Sequence, residues 1–128
     1  MILYLIGILI FFAHMSLIDC KLWDDQNVVP AWLKSDWIYL GGTLLTTLFL
    51  VYTAGIAYAI NPVWFSRITR FGFVLGSVVW DWIFGALIDN DPLYPFKNWY
   101  GGWGFTSKAD RIYFDIARII FAFIMLGI

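Results

Sequence analysis

The sequence predicts an all-α integral membrane protein with four transmembrane helices, and two observations lead to this fold class. Hydrophobic residues make up 62% of the 128-residue chain and charged residues only 13%, which leaves too little polar surface to cover a water-soluble domain. In addition, four apolar stretches approach or exceed the roughly 20 residues that cross a hydrocarbon core of about 30 Å. They cover residues 1–18, 37–60, 63–88 and 107–128, so residues 1–128 are predicted to form a single transmembrane domain.

The first apolar stretch, residues 1–18, contains few polar interruptions. It lacks the positive start of a secretory signal peptide, so we expect a retained helix. Gly7 and His14 are seven residues apart and therefore share a face that can lie against a neighbouring helix. Asp19 is predicted to cap the end of this helix.

Turn signals and small residues predict the structure of loop one and of the second helix. Pro30 precedes the amphipathic segment 31–37, and this pattern predicts a short helix lying on the membrane interface. The second stretch, 37–60, has no charge and is rich in glycine, alanine and threonine, which let helices approach closely. Asn61 and Pro62 predict a tight turn into the third helix.

The third helix has two faces that suit contacts with other groups. Arg67 and Arg70 lie near its start, where their long side chains can reach lipid headgroups or a partner. Gly72 and Gly76 form a GxxxG pattern and predict close packing against another helix, although this pattern is common. Asp81 lies on roughly the opposite side. We therefore expect this helix to be central.

Loop three, residues 89–107, combines turn signals with aromatic residues such as Trp99 and Trp103. This combination predicts an ordered cap that contacts headgroups or a partner. Most tryptophans outside the helix interiors belong to the side of loops one and three, whereas Trp64 is almost alone on the other. Such a lopsided belt suits either membrane anchoring or docking to another subunit.

Ser107 is predicted to cap the fourth helix, in which polar residues recur at intervals of three and four. Arg111, Asp115 and Arg118 begin this narrow stripe, which continues through Ala122 and Met125. Because residues three and four apart are neighbours on a helix, opposite charges in the stripe can pair with each other.

Counting from the loops places Asp81, Asp115, Arg118, Arg111 and His14 in the same half of the membrane, as one intramembrane polar cluster. A charge at this depth costs about 2.5–3.5 kcal/mol, so such charges persist when they pair or face a cavity. One interpretation is an ion-pair lock in which Asp81 reaches across to Arg118. The other is a proton or ion relay, a substrate site or a polar contact with a partner protein.

Several function classes are poorly supported by the sequence. A net charge of −1 without any long basic run argues against nucleic-acid binding. One cysteine and one histidine cannot supply a metal site without other chains, although His14 and Asp19 could contribute to a shared one, and we expect no metal and no cofactor. The residues around Asp81 and Asp89 do not match the motifs of intramembrane aspartyl proteases. We therefore expect that the chain is not catalytic on its own.

The leading hypothesis is an accessory or structural subunit of a larger membrane complex, such as an energy-converting or oxidising one. Its partners would be the lipid bilayer and either other membrane subunits or a second copy. The alternative is a small oligomeric transporter or channel with Asp81 as its coupling carboxylate. A weaker alternative is a lipid-modifying enzyme that uses loop three. The distribution of lysine and arginine favours both termini outside, in a membrane that the sequence does not identify.

Overall fold

The computed structural model describes residues 1–22, 30–94 and 107–128, and every regular element in these ranges is a helix. The predicted all-α class with four long helices is confirmed, and no strand occurs in the described ranges. Trp99 and Trp103 lie outside the described residues, as does most of the predicted aromatic loop. The α-helices are α1 (Ile2–Leu22), α2 (Asp36–Ile60), α3 (Pro62–Ile88) and α4 (Lys108–Gly127), with a 3₁₀ helix (Ala31–Lys34) between α1 and α2.

Three of the four helices are long and apolar enough to cross a membrane, by length and composition. These are α1, α2 and α3. The fourth helix has 20 residues but does not qualify, because its first half is highly charged. Its charged residues after Lys108 are Asp110, Arg111, Asp115 and Arg118.

The first helix is longer than the sequence predicted. It continues to Leu22, so the predicted end at residue 18 and the capping role of Asp19 are wrong. The Asp19 carboxylate instead accepts a hydrogen bond from the indole Nε1 of Trp80 on α3, at 2.9 Å. The side chain of Asp19 therefore contacts α3, while its backbone lies within α1.

The predicted helix over 31–37 is divided in two by Ser35. A 3₁₀ helix covers only Ala31–Lys34, Ser35 is extended with ψ 127°, and Asp36 already belongs to α2. Leu33 is the only fully buried side chain of the 3₁₀ helix, and it packs against Cys20 and Phe84. Its location at a membrane interface remains a prediction.

Helix α3 runs parallel to α1 and packs against it through two glycines. A Cβ atom added to Gly72 would lie 2.8 Å from Ile8 Cδ1, and one added to Gly76 would lie 2.6 Å from Phe12 Cγ. Only glycine therefore allows the helices to come this close. Hydrogen bonds fix the register at both ends, from Tyr4 Oη to Thr69 Oγ1 (2.7 Å) and from Ser16 Oγ to Trp80 O (2.7 Å).

Helix α4 runs antiparallel to α3 on a different face. Near its start, Asp115 accepts a hydrogen bond from Trp82, and near its end Phe123 packs edge-on against Phe71 with ring centroids 5.2 Å apart. These contacts span eleven residues of α3, or about 16 Å at 1.5 Å per residue. The structure thus places α3 in contact with α1, α2 and α4.

The turn between α2 and α3 consists of Asn61 alone. Its side-chain Oδ1 accepts hydrogen bonds from the backbone nitrogens of Val63 (3.1 Å) and Trp64 (3.2 Å), and Pro62 occupies the first helical position. This is the tight, capped turn that the Asn-Pro pair predicts. Because α2 is antiparallel to both α1 and α3, the Asn61 turn lies at the same end of the bundle as the start of α1 and the end of α4.

Candidate functional site

Asp115 on α4 lies at the centre of the candidate site. Its Oδ1 accepts hydrogen bonds from Arg111 Nε at 3.1 Å and from Arg118 Nη2 at 2.5 Å. Its Oδ2 accepts one from the indole Nε1 of Trp82 on α3, at 2.9 Å. Asp115 is only 3% exposed and Arg111 is fully buried. Both carboxylate oxygens therefore accept hydrogen bonds from side chains of this protein.

Arg118 connects Asp115 to the third helix. Its Nη1 lies 2.7 Å from Asp81 Oδ2 and donates to Ser77 Oγ at 3.3 Å, while its guanidinium carbon lies 4.5 Å from the Phe114 ring centroid. We call the four ionised residues Asp81, Arg111, Asp115 and Arg118 the α3–α4 network. Two cations and two anions make it neutral as a whole. Asp81 is its most accessible carboxylate, with 31% of its side chain exposed.

The turn after α3 extends this network toward the end of the bundle. Arg111 Nη1 donates to the carbonyl oxygen of Tyr94 at 2.8 Å, and Tyr94 N in turn donates to Asp91 O at 3.1 Å. Gly85 makes room for the turn, because an added Cβ would lie 2.5 Å from Asp91 O. Asn90 adopts a φ of 53°, a left-handed conformation that asparagine tolerates better than most residues. The start of α4 is thereby held against the end of α3.

Asp91 and Asp89 flank this turn and have opposite pKa shifts. The pKa of Asp91 is lowered from its ordinary 3.8, first by a hydrogen bond from Leu93 N (3.0 Å) and then by Lys108 Nζ (3.2 Å). The pKa of Asp89 is raised, mainly by burial and then by the nearby charge of Asp91. Asp91 is thus stabilised as a carboxylate that ties the turn to the first residue of α4.

The shift at Asp91 predicts an acid-dependent loosening of the turn. Since the folded pKa is lowered, the stabilisation is fully present above the ordinary pKa of 3.8 and is lost as pH falls through the lowered value. Carboxyl NMR titration of the protein in micelles should show this low pKa. In Lys108→Gln it should move up toward 3.8, and an unchanged value would contradict the Lys108 contact. The raised pKa of Asp89 has the opposite effect on stability. As pH rises and Asp89 ionises, the fold becomes less stable.

His14 does not join the α3–α4 network, although the sequence placed it in the same cluster. Its Nε2 lies 3.0 Å from Thr43 Oγ1, and Thr43 donates its own hydroxyl proton to Tyr39 O, so His14 Nε2 is the donor. The ring packs against Gly42, where an added Cβ would lie 3.0 Å from Nδ1. His14 faces α2, on another side of the bundle from the network, and its depth in a membrane stays a prediction.

Arg67 and Arg70 lie near the start of α3, well away from the network. The Arg67 guanidinium carbon is 5.2 Å from the ring centroid of Trp64. Arg70 Nε donates to the Ser66 carbonyl at a long 3.4 Å. These two arginines are therefore in a different environment from Arg111 and Arg118, whose charges are paired with carboxylates.

Three contacts of the network were missed by sequence reasoning, those from Trp82, Ser77 and the Tyr94 carbonyl. Trp82 resembles a lipid-facing aromatic in the sequence. However, an indole N–H away from water requires an acceptor, so its position next to Asp81 was a signal that it contacts the polar cluster. The Tyr94 carbonyl could not be inferred, because a backbone acceptor leaves no trace in the side-chain pattern.

Within the described ranges, no group of three histidine, cysteine or acidic residues is placed to hold a metal ion. No known protein family matches the chain, and no curated protein or solved structure matches it either. The functional proposal therefore depends on the geometry of the described residues.

Proposed function

We propose that this chain is a four-helix membrane subunit that stabilises a larger membrane complex, with α2 as its docking helix. The network between α3 and α4 keeps the subunit rigid, and the outward side of α2 receives a transmembrane helix of another chain. The observation that carries the proposal is a regular stripe on α2 whose residues are exposed, apart from the half-buried Gly41.

In this proposal α4 also crosses the membrane, as a fourth span. Three helices have the length and composition of membrane spans, and α4 packs along α3 over about 16 Å. A helix that lies beside a spanning helix over such a length shares its surroundings. The charges of α4 are compatible with this location because Arg111, Asp115 and Arg118 form a neutral network with Asp81.

The outward side of α2 has the pattern of a helix–helix seam. One stripe recurs at intervals of four and three residues, the spacing by which helices interlock side chains. We call it the outer stripe of α2, and it consists of Trp37, Gly41, Leu44, Leu48, Val51, Gly55 and Ala59. Leu44 (61%) and Val51 (63%) are largely exposed, and no described residue lies within 4 Å of a Cβ added at Gly55.

Lipid contact alone does not explain the glycine at position 55. An exposed glycine destabilises a helix by roughly 0.5–1 kcal/mol relative to alanine, and Gly55 has no neighbour among the described residues that requires its small size. Close approach of a helix from another subunit supplies that reason. Gly41 lies four turns away on the same stripe, but the ring of Trp37 lies 3.4 Å from a Cβ added there, so Gly55 is the position of close approach.

The transporter alternative depends on Asp81, and the geometry favours it less. Asp81 is the accessible carboxylate of the network, which suits a coupling role. However, its Oδ2 pairs with Arg118 at 2.7 Å, so a transported cation or proton would have to displace a guanidinium. A carboxylate that is paired with an arginine of the same chain is what an ion-pair lock predicts.

Replacing Gly55 with leucine should separate the subunit from its partner without unfolding it. The new side chain points into open space, so circular dichroism and thermal unfolding of the chain should be unchanged or slightly improved. Overpacking at a helix interface costs typically about 1–3 kcal/mol, so the assembled fraction should fall about tenfold. The measurement is native gel electrophoresis of the tagged chain, purified in mild detergent from its own membranes.

Ala117→Leu is the matched control, because Ala117 is exposed on α4 outside the stripe. It should leave the size of the complex unchanged. The proposal is wrong if the wild-type chain runs alone, or if Gly55→Leu and Ala117→Leu give the same assembly. Cation or proton flux in liposomes that Asp81→Asn abolishes, with the fold retained, would favour the transporter instead.

A further inference from the structure

Within the described part of the chain, one end of the helix bundle carries positive charge and no acidic residue. Between Asp36 and Asp81 the sequence contains only two charged side chains, Arg67 and Arg70, and α3 begins five residues before the first of them. The start of α1 and the end of α4, which meet at the same end of the bundle, have no charged side chains. At the opposite end, five aspartates accompany three lysines among the described residues. The net charge of −1 thus conceals a strong separation of charge.

The donors of Arg67 lack an acceptor within this part of the structure. Its guanidinium stacks on Trp64 at 5.2 Å, and it donates no hydrogen bond to any described residue. Its Nε is buried, so an acceptor from outside this chain would bind the terminal nitrogens Nη1 and Nη2. By contrast, Arg118 pairs with two carboxylates. An arginine has five N–H donors in a planar fork, and leaving them unpaired away from water is costly.

A phosphate group has the chemistry that these residues require. It accepts two parallel hydrogen bonds from a guanidinium, and Arg67 and Arg70 lie three residues apart, on adjoining turns of one helix side. The backbone at the start of α3 does not supply the site, because Asn61 already accepts from Val63 N and Trp64 N. Trp64 (43% exposed) and Val63 (61%) offer apolar surface beside the arginines for glycerol and acyl chains.

We propose that Trp64, Arg67 and Arg70 bind the phosphate diester of an anionic phospholipid. The site is formed by charge complementarity, since the lipid supplies the anion that this end of the bundle lacks. The inference rests on the proposed location of the helices in a bilayer. It does not depend on the outer stripe of α2, so either idea can fail without the other.

The test uses the full chain purified in a neutral detergent. Phosphatidylglycerol should raise the unfolding temperature and remain bound in native mass spectrometry, whereas phosphatidylcholine at the same concentration should do neither. Arg67→Gln should weaken phosphatidylglycerol binding at least about tenfold, because it removes the charge-assisted hydrogen bonds. Arg67→Lys should bind with intermediate affinity, since lysine keeps the charge and loses the planar fork.

Lys34→Gln is the matched control, because it removes one positive charge at the other end of the bundle. It should bind phosphatidylglycerol like the wild type. Equal weakening by Lys34→Gln, or equal binding of phosphatidylcholine, would overturn the site. Equal protection by inorganic phosphate would overturn the lipid as its ligand. Arg70→Gln provides a second variant if Arg67→Gln fails to fold, and wild-type affinity in this variant would also contradict the proposal.

Discussion

Replacing Asp115 with asparagine is expected to lower the free energy of unfolding by about 3–5 kcal/mol, the usual cost of removing one partner from a buried ion pair. Asp115 is the common acceptor of Arg111 and Arg118, and Asp81 alone would remain to balance the two cations. The substitution keeps the size of the side chain. The loss of stability would therefore come from removal of the charge and not from a cavity.

The destabilisation by Asp115→Asn should begin with α4. This helix is held to α3 by the network at residues 111–118, and it packs against no other α-helix as extensively. Without Asp115, the Trp82 indole faces an amide in place of a carboxylate, and Arg111 keeps only its contacts outside the ion pair, such as the Tyr94 carbonyl. We expect α4 to separate from α3 while the contact between α1 and α3 persists.

Denaturant unfolding in mixed micelles, followed by far-ultraviolet circular dichroism, measures this loss. Asp110→Asn is the matched control, because it makes the same change in the exposed first turn of α4. It should cost only about 0.3–1 kcal/mol, the contribution of an acidic residue at a helix start. If Asp115→Asn costs no more than Asp110→Asn, the network does not hold α4 in place.

The helices could be predicted from the sequence because the apolar stretches are long and their breaks are strong. Asn61 and Pro62 end one helix and begin the next, and Ser107 caps α4 because its Oγ accepts a hydrogen bond from Asp110 N at 3.2 Å. The end of α1 was missed because Asp19 resembles a cap in the sequence. Its carboxylate is instead used by Trp80, sixty-one residues away. Such a long-range contact has no local signal.

The candidate site could be predicted where it lies on a single helix. Spacings of four and three residues bring Arg111 and Arg118 to Asp115, as helical geometry requires. Depth counting also brought Asp81 to the level of Arg118. It could not tell which side of the bundle a residue faces, and for this reason His14 was assigned to the wrong group. Rotation about the helix axis is set by packing, which one sequence does not reveal.

Gly76→Ala should destabilise the contact between α1 and α3, although alanine is the better helix former. The added Cβ would lie 2.6 Å from Phe12 Cγ, and this ring cannot move freely. It makes edge contacts with Phe73 at 5.1 Å and with Trp80 at 6.1 Å between ring centroids. Overpacking of this kind costs about 1–3 kcal/mol, more than the gain of roughly 0.5–1 kcal/mol from helix propensity.

The same substitution at two other glycines gives an expected order of stability changes, because the added Cβ meets different surroundings at each position. At Gly72 the new Cβ would lie 2.8 Å from Ile8 Cδ1 and 3.1 Å from Ile8 Cγ2, which is farther than the 2.6 Å to the Phe12 ring, so the cost of Gly72→Ala should be smaller than that of Gly76→Ala. At Gly55 it would meet nothing within 4 Å, so Gly55→Ala should stabilise the isolated subunit by about 0.5–1 kcal/mol. Unfolding in the same micelles measures all three variants. Equal effects at positions 76 and 55 would mean that α1 does not pack closely against α3, because only helix propensity would then distinguish alanine from glycine.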